Sequence, residues 1–189
     1  MFIMRIISGT ARGTRLKTPK GLVTRPTLDR VREALFSKIG GLLPDASVLD
    51  LFAGSGALGI EALSRGAAKA TFVEVSKEAL AVIRDNLEKT KLKERANVVP
   101  SAVDPFLKNE RGTFDVIFAD PPYLREETGE DWATRLLEKT TLPQRLKEGG
   151  VFVLETQADY RMHLPAHWEL LDERAYGKTR LWYLVPANR

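Results

Sequence analysis

From Ser47 onward, short and nearly continuous apolar runs alternate with longer stretches in which apolar residues recur every three or four positions. Residues 48–52, 70–75, 97–99, 114–119 and 150–155 read as strands, and residues 57–65, 77–91, 132–139 and 143–146 as helical stretches. In the second of these, Leu80, Ile83 and Leu87 share one helix face. Such alternation predicts an α/β fold with a mostly parallel sheet and crossover helices. A run such as Val116-Ile117-Phe118-Ala119 belongs in a sheet covered on both faces. Towards the end the pattern changes: residues 169–176 and 179–185 are strand-like and joined by Gly177-Lys178, which predicts a closing antiparallel hairpin. At the start, residues 3–8 and 14–18 flank a glycine-bounded turn and predict a small separate β-hairpin. Arg25-Pro26-Thr27 then introduces a helix over 28–39, with Val31, Leu35 and Ile39 on one face. This organises the chain as an N-terminal extension, residues 1–24, on one larger domain, residues 25–189.

With 189 residues, one hydrophobic core suffices. The absence of cysteine excludes disulfides, thiolate zinc sites, iron–sulfur clusters and cysteine nucleophiles, and fits a reducing compartment. No signal peptide is evident and no run approaches the roughly 18 apolar residues of a spanning helix, so the expectation is a soluble, cytoplasmic protein without a membrane partner. The formal charge of +4 is unevenly spread: residues 1–40 hold nine basic and two acidic residues, +7, which leaves −3 for the rest. A basic end creates a field suited to a polyanion such as nucleic acid. His163 and His167 are separated by Pro165 and lack the helical spacing of a metal pair, so no metal is expected. Trp132, Trp168 and Trp182 read as packing residues.

The strand ending in Asp50-Leu51-Phe52 runs into Ala53-Gly54-Ser55-Gly56-Ala57-Leu58-Gly59, a G-x-G-x-x-G turn that opens a helix. Glycines at this spacing let the backbone turn tightly and approach a ligand. Two ligands compete for the loop: a dinucleotide and S-adenosylmethionine. Asp50 would repel a pyrophosphate but can offset an ammonium group, which favours S-adenosylmethionine. Glu74, at the end of the second strand, suits the two hydroxyls of a ribose and fits either ligand.

A second constellation follows the fourth strand, where residues 114–119 lead into Asp120-Pro121-Pro122-Tyr123. Two prolines fix φ near −65° and remove two N–H donors, so the turn is stiff and rich in acceptors. It lies at the carboxyl end of a strand, where open α/β sheets concentrate ligand chemistry. A carboxylate, carbonyl acceptors and an aromatic ring match a flat base bearing an –NH2 group.

This turn resembles the [N/D]-P-P-[Y/F] motif of methyltransferases that act on adenine N6, guanine N2 or glutamine amides. The similarity implies catalytic roles for Asp120, Pro121 and Tyr123, with Pro122 beside the substrate. Asp50 and Phe52, followed by Gly54 and Gly56, resemble the D-x-F-x-G-x-G cofactor loop. With Glu74 and Val75, they imply bound S-adenosylmethionine, released as S-adenosylhomocysteine. Further segments extend the resemblance over nearly the whole chain: Met4-Arg5-Ile6-Ile7-Ser8-Gly9, Arg25-Pro26-Thr27, Arg30-Val31-Arg32-Glu33-Ala34-Leu35-Phe36-Ser37 and Tyr176-Gly177-Lys178-Thr179 look like the RsmD family. Those bacterial enzymes methylate N2 of guanine 966 in 16S rRNA. The resemblance implies a class I, Rossmann-like S-adenosylmethionine-dependent methyltransferase over residues 25–189. It also implies a seven-stranded sheet, a monomer, and 16S rRNA in the 30S subunit or an assembly intermediate as partner. Arg5, Arg12, Arg15, Arg25 and Thr27 are the expected substrate contacts, although Thr27 equally suits a helix cap. Where relatives often carry an acidic or amide residue for the cofactor's adenine, this chain has Ala102, so that contact falls to backbone near Ala102 and Val103, or to Asp104. The polar stretch 125–131 is a candidate lid. Alternatives are an adenine-N6 or protein-glutamine methyltransferase with the same motif, or a catalytically silent binding module on the ribosome.

Overall fold

The computed structural model describes residues 4–20, 26–122 and 131–187. Seven strands form one sheet: β1 (Ser47–Leu51), β2 (Lys69–Glu74), β3 (Ala96–Pro100), β4 (Phe114–Ala119), β5 (Leu146–Gln157), β6 (Trp168–Tyr176) and β7 (Thr179–Pro186). Their spatial order is β3-β2-β1-β4-β5-β7-β6, parallel from β3 through β5 and antiparallel at β7 and β6. The expected mostly parallel sheet with an antiparallel end is therefore present. Gly177, at φ 60°, supplies the left-handed residue of the β6–β7 turn.

Alternation along the strands divides the core in two. Val48, Phe72, Val116, Phe118 and Val153 face one side, where α1 (Pro26–Ile39), α2 (Ala57–Ser64) and α3 (Lys77–Thr90) bury Leu35, Phe36, Ile60, Leu63 and Ile83. Leu49, Leu51, Ile117, Phe152 and Leu154 face the other side, against α4 (Val103–Asn109) and α5 (Trp132–Leu137). All five residues of β1 are buried, as a central strand covered on both faces requires. The period of three and four in α3 becomes a helix capped by the Ser76 hydroxyl, which accepts from Ala79 N at 3.3 Å, and closed by Lys91 at φ 59°.

Three expectations are corrected. The stretch 143–146 is a single 3₁₀ turn, Pro143–Arg145, because Leu146 already pairs with Phe114. Residues 103–109 form a helix that periodicity does not reveal, since Pro105 is tolerated in a first turn. The N-terminal hairpin is shorter than expected and not separate: Arg5 bridges Arg15, with Ile6 N donating to Thr14 O at 3.0 Å and Leu16 N to Met4 O at 2.9 Å. Its apolar residues Met4, Ile6, Ala11 and Leu16 are buried in the same core as α1 and α2. Among the described residues no helix is long and apolar enough to cross a membrane.

The chain winds outward from β1 through β2 to β3, then returns to place β4 on the other side of β1. This reversal leaves a crevice at the carboxyl ends of β1 and β4, the location where doubly wound sheets hold ligands.

Candidate active site

After β1 the backbone turns through Phe52 at φ 59° and Gly54 at φ 56°, and Gly56 at φ 77° precedes α2. Phe52 is a bulky residue in the left-handed region. Its ring makes an edge contact with Trp132, 5.2 Å between centroids, which helps hold the turn. Gly59 is required for packing: a Cβ there would stand 2.3 Å from the Phe72 ring. Asp50, 2% exposed, accepts from Gly59 N at 2.9 Å and so ties β1 to the first turn of α2. Burial pushes its carboxyl up to about 8; the Gly59 N–H opposes this, and the neighbouring Asp120 and Glu74 add to it. A cation brought to Asp50 would restore its charge, which suits the ammonium of an amino acid.

Glu74 spans the crevice. One oxygen accepts from Gly54 N at 2.8 Å and the other from Val75 N and Ser76 N, each at 2.8 Å, joining the glycine loop to the β2–α3 connection. Beside it Val75 is 69% exposed, an apolar surface open to a flat ring. Ala102 is exposed at the start of α4, whereas Val103 is buried. Asp104 is engaged with Arg135 and, at 2.7 Å, with Lys139. Of the two adenine contacts considered, the backbone near Ala102 is thus the one left open.

The Asp-Pro-Pro turn emerges directly beside this loop. Asp120, Asp50, Phe52 and Gly54 line one cavity of about 170 Å³. Asp120 is exposed along that cavity, and desolvation by the surrounding protein pushes its carboxyl up to about 6. Pro121 is buried and Pro122 exposed. Tyr123, Arg25 and residues 125–130 of the candidate lid lie outside the described residues, as does the side chain of Thr27. Asp131 caps α5, accepting from Thr134 N at 3.0 Å.

Two residues not singled out by sequence complete the cavity. Arg32 is 5% exposed; it donates to the Arg5 carbonyl and to Asp29 at 2.9 Å, while its Nε has no hydrogen-bond partner among the described residues. A buried guanidinium at a cavity wall suits an anionic group such as a carboxylate. Glu155, near the carboxyl end of β5, lines the same cavity. It meets the strand-end criterion that singles out Glu74, and could have been read from the sequence on that ground. These donors and acceptors fit S-adenosylmethionine: Asp50 for the ammonium, Arg32 for the carboxylate, Glu74 for ribose hydroxyls, Val75 and the backbone near Ala102 for adenine.

The basic N-terminal segment is anchored rather than free. Glu61, fully buried, accepts from Ile7 N at 2.8 Å and Ser8 N at 3.0 Å, and pairs with Arg65. Asn86, also fully buried, accepts from Lys17 N at 2.8 Å and donates to the Lys17 carbonyl at 2.9 Å. Arg5, Arg12 and Arg15 are exposed on this anchored segment. Arg5 and Arg15 stand opposite each other in the bridge, a like-charge pairing that an anion would relieve.

Comparison with known proteins converges on one group. A family model described as Conserved hypothetical protein 95 matches residues 4–185. A protein of Haemophilus influenzae named ribosomal RNA small subunit methyltransferase D is 37% identical over 177 residues, covering 92% of this chain and 89% of its own. Its Escherichia coli namesake is 38% identical over 180 residues, covering 93% and 86%. A solved Escherichia coli protein presented as a candidate methyltransferase, yhhF, superposes with a TM-score of 0.81 at 34% identity over 100% of both chains.

Proposed function

The chain belongs to the family described as Conserved hypothetical protein 95, and from that membership we propose that it methylates the exocyclic N2 amine of a guanine in 16S rRNA. Its relatives are named as methyltransferases of small-subunit ribosomal RNA, and it is an rRNA methyltransferase dependent on S-adenosylmethionine. The family similarity points to guanine 966, and to the 30S particle or its assembly intermediate as the form in which the RNA is met. A cytoplasmic monomer without a metal accords with this reading. The observation that carries it is the junction of two motifs at one cavity: the glycine loop with Asp50 and the Asp-Pro-Pro turn with Asp120.

S-adenosylmethionine, when bound, supplies a methyl group made electrophilic by a positively charged sulfur. The residues of this chain prepare the acceptor. A base –NH2 is a poor nucleophile because its lone pair is conjugated into the ring. Asp120 and the Pro121 carbonyl accept its two N–H bonds and turn the lone pair out of conjugation. Positive charge builds on the nitrogen as its bond to the methyl carbon forms and the carbon–sulfur bond breaks; the fixed Asp120 carboxylate stabilises it there, and the surplus N–H proton is then lost to solvent. Holding the amine in line supplies much of the remaining acceleration. Tyr123 is the stacking platform for the base, worth about 1–3 kcal/mol. The N-terminal extension, residues 1–24, contacts the rRNA backbone beside the domain formed by residues 25–189, with Arg5, Arg12 and Arg15 facing phosphate.

The test is methyl transfer from labelled S-adenosylmethionine to 30S particles lacking the modification, with the product mapped by mass spectrometry. N2-methylguanine in 16S rRNA is the expected product, and Asp120→Ala should abolish it while cofactor binding persists. N6-methyladenine or methylglutamine as the sole product would refute the assignment. Full activity of the Asp120→Ala protein would remove the carboxylate from the mechanism.

A further inference from the structure

The Asp-Pro-Pro-Tyr turn is shared by enzymes acting on guanine, adenine and glutamine, so it does not by itself choose the acceptor. Glu155 offers that choice. β4 and β5 run parallel with Ala119 opposite Leu154, and one further step along each strand brings Asp120 and Glu155 side by side on the same face. Both line the 170 Å³ cavity next to the glycine loop. Glu155 also lines a second cavity, about 220 Å³, walled by Pro121, Pro122, Trp132 and Tyr160. It thus stands at the boundary between the cofactor cavity and the aromatic-walled space beside the prolines. The buried Arg32 guanidinium on the wall of the first cavity is a cationic group there that an anionic ligand group would match.

We propose that Glu155 is the specificity-determining residue: its carboxylate accepts the N1–H of the target guanine while Asp120 accepts from the adjacent N2 amine. This rests on the guanine-N2 reading above and deepens it. In guanine the reactive amine is flanked by N1–H, a donor. In adenine the N6 amine is flanked by a bare N1, and in glutamine the amide nitrogen is flanked by a carbonyl oxygen, both acceptors. A second carboxylate beside Asp120 pairs with guanine and repels the other two. A site built to receive a particular donor rejects an analogue lacking it more strongly than an apolar pocket can.

The position of Glu155 is set by a motif that the function has not otherwise used. The turn Tyr176-Gly177-Lys178-Thr179 carries the chain from β6 into β7, where Thr179 is buried and stands diagonally across from Glu155, two residues before the Leu181 that Glu155 pairs with. Burial and the neighbouring Asp120 raise the Glu155 carboxyl well above the usual range, and the Thr179 hydroxyl opposes them. A donor such as N1–H acts in the same sense as Thr179 and favours the charged form. Thr179 is accordingly a positioning residue and Glu155 the reader.

The experiment compares 30S particles reconstituted with 16S rRNA bearing guanine or 2-aminopurine at the target nucleotide. The second base keeps the N2 amine but has a bare N1. The unaltered protein should favour guanine in kcat/KM by roughly 10- to 100-fold. Glu155→Gln, whose amide can donate to a bare N1, should bring that ratio near one, with S-adenosylmethionine affinity retained. Thr179→Val should lower the ratio in the same direction by a smaller factor. An unchanged ratio in Glu155→Gln overturns the proposal. If Glu155→Gln does not fold, as judged by melting and cofactor binding, an unchanged ratio in Thr179→Val overturns it instead. Failure of the unaltered protein to methylate guanine N2 at all refutes the guanine reading, a result distinct from loss of discrimination alone.

Discussion

On the proposed reading Asp50 couples stability to cofactor binding, and Asp50→Asn separates the two. Asparagine keeps the oxygen that accepts from Gly59 N, so the tie from β1 to α2 survives while the ionisation is lost. In the native protein the Asp50 carboxyl is pushed from 3.8 to about 8, chiefly by burial. A carboxyl with a raised native pKa binds protons more tightly folded than unfolded. Its stabilising contribution is fully present below about pH 4 and is lost as pH rises toward about 8. At about 1.36 kcal/mol per pH unit the whole interval amounts to roughly 5 kcal/mol, an upper bound that local relaxation and water penetration reduce. Asp50→Asn should therefore stabilise the cofactor-free protein by about 1–3 kcal/mol at pH 8 and leave it near the wild type at pH 4. For a chain of this size that is a rise in Tm of about 2–12 °C at pH 8. The same substitution removes the charge that offsets the ammonium, so S-adenosylmethionine affinity should fall by about 10- to 100-fold. Thermal unfolding monitored across pH 4–8, with calorimetric titration of the cofactor, reads both effects. The reasoning fails if the difference in Tm between the two proteins is constant across that range, or if it is larger at the acid end.

Two further outcomes follow from packing and charge. Gly59→Ala places a methyl group 2.3 Å from the buried Phe72 ring; the helix-propensity gain of about 1 kcal/mol is outweighed by overpacking, for a net loss of about 1–2 kcal/mol in denaturant unfolding, and a neutral result would show that α2 shifts freely away from β2. Arg12→Ala with Arg15→Ala should weaken binding to small-subunit particles and lower the slope of log K against log salt by about 0.7–0.9 for each phosphate no longer neutralised, whereas an unchanged slope would take the anchored segment off the RNA.

The two chemical motifs are legible because each is local. A strand, a glycine turn and a helix start occupy consecutive residues, as do a strand and the Asp-Pro-Pro-Tyr turn, and their apolar periods declare the parallel sheet around them. Local patterns misled where a short element broke its own period. The helix Val103–Asn109 carries Pro105 in its first turn, and β5 begins at Leu146 behind the polar, glycine-containing stretch Lys147-Glu148-Gly149-Gly150. The N-terminal hairpin is present but short for a different reason: beyond its cross-strand bonds from Ile6 N to Thr14 O and Leu16 N to Met4 O, the donors of Ile7, Ser8 and Lys17 are taken by Glu61 and Asn86 on α2 and α3, more than fifty residues away.

By itself the sequence determined the α/β class, the glycine loop with Asp50, Glu74 at the end of the second strand, and the stiff Asp-Pro-Pro-Tyr turn after the fourth. Each follows from residue type and spacing within about 30 positions. Only the tertiary structure decided which carboxylates share a cavity. The reversal of strand order between β1 and β4 brings Asp50 beside Asp120, and the register of β4 with β5 adds Glu155, on a strand of its own. The desolvation that raises all three carboxyls, and the repulsion from Asp120 that adds to it at Asp50 and Glu155, exist only when those strand ends meet. Desolvation and Coulomb coupling depend on distance through space, and no pattern along the chain encodes that distance.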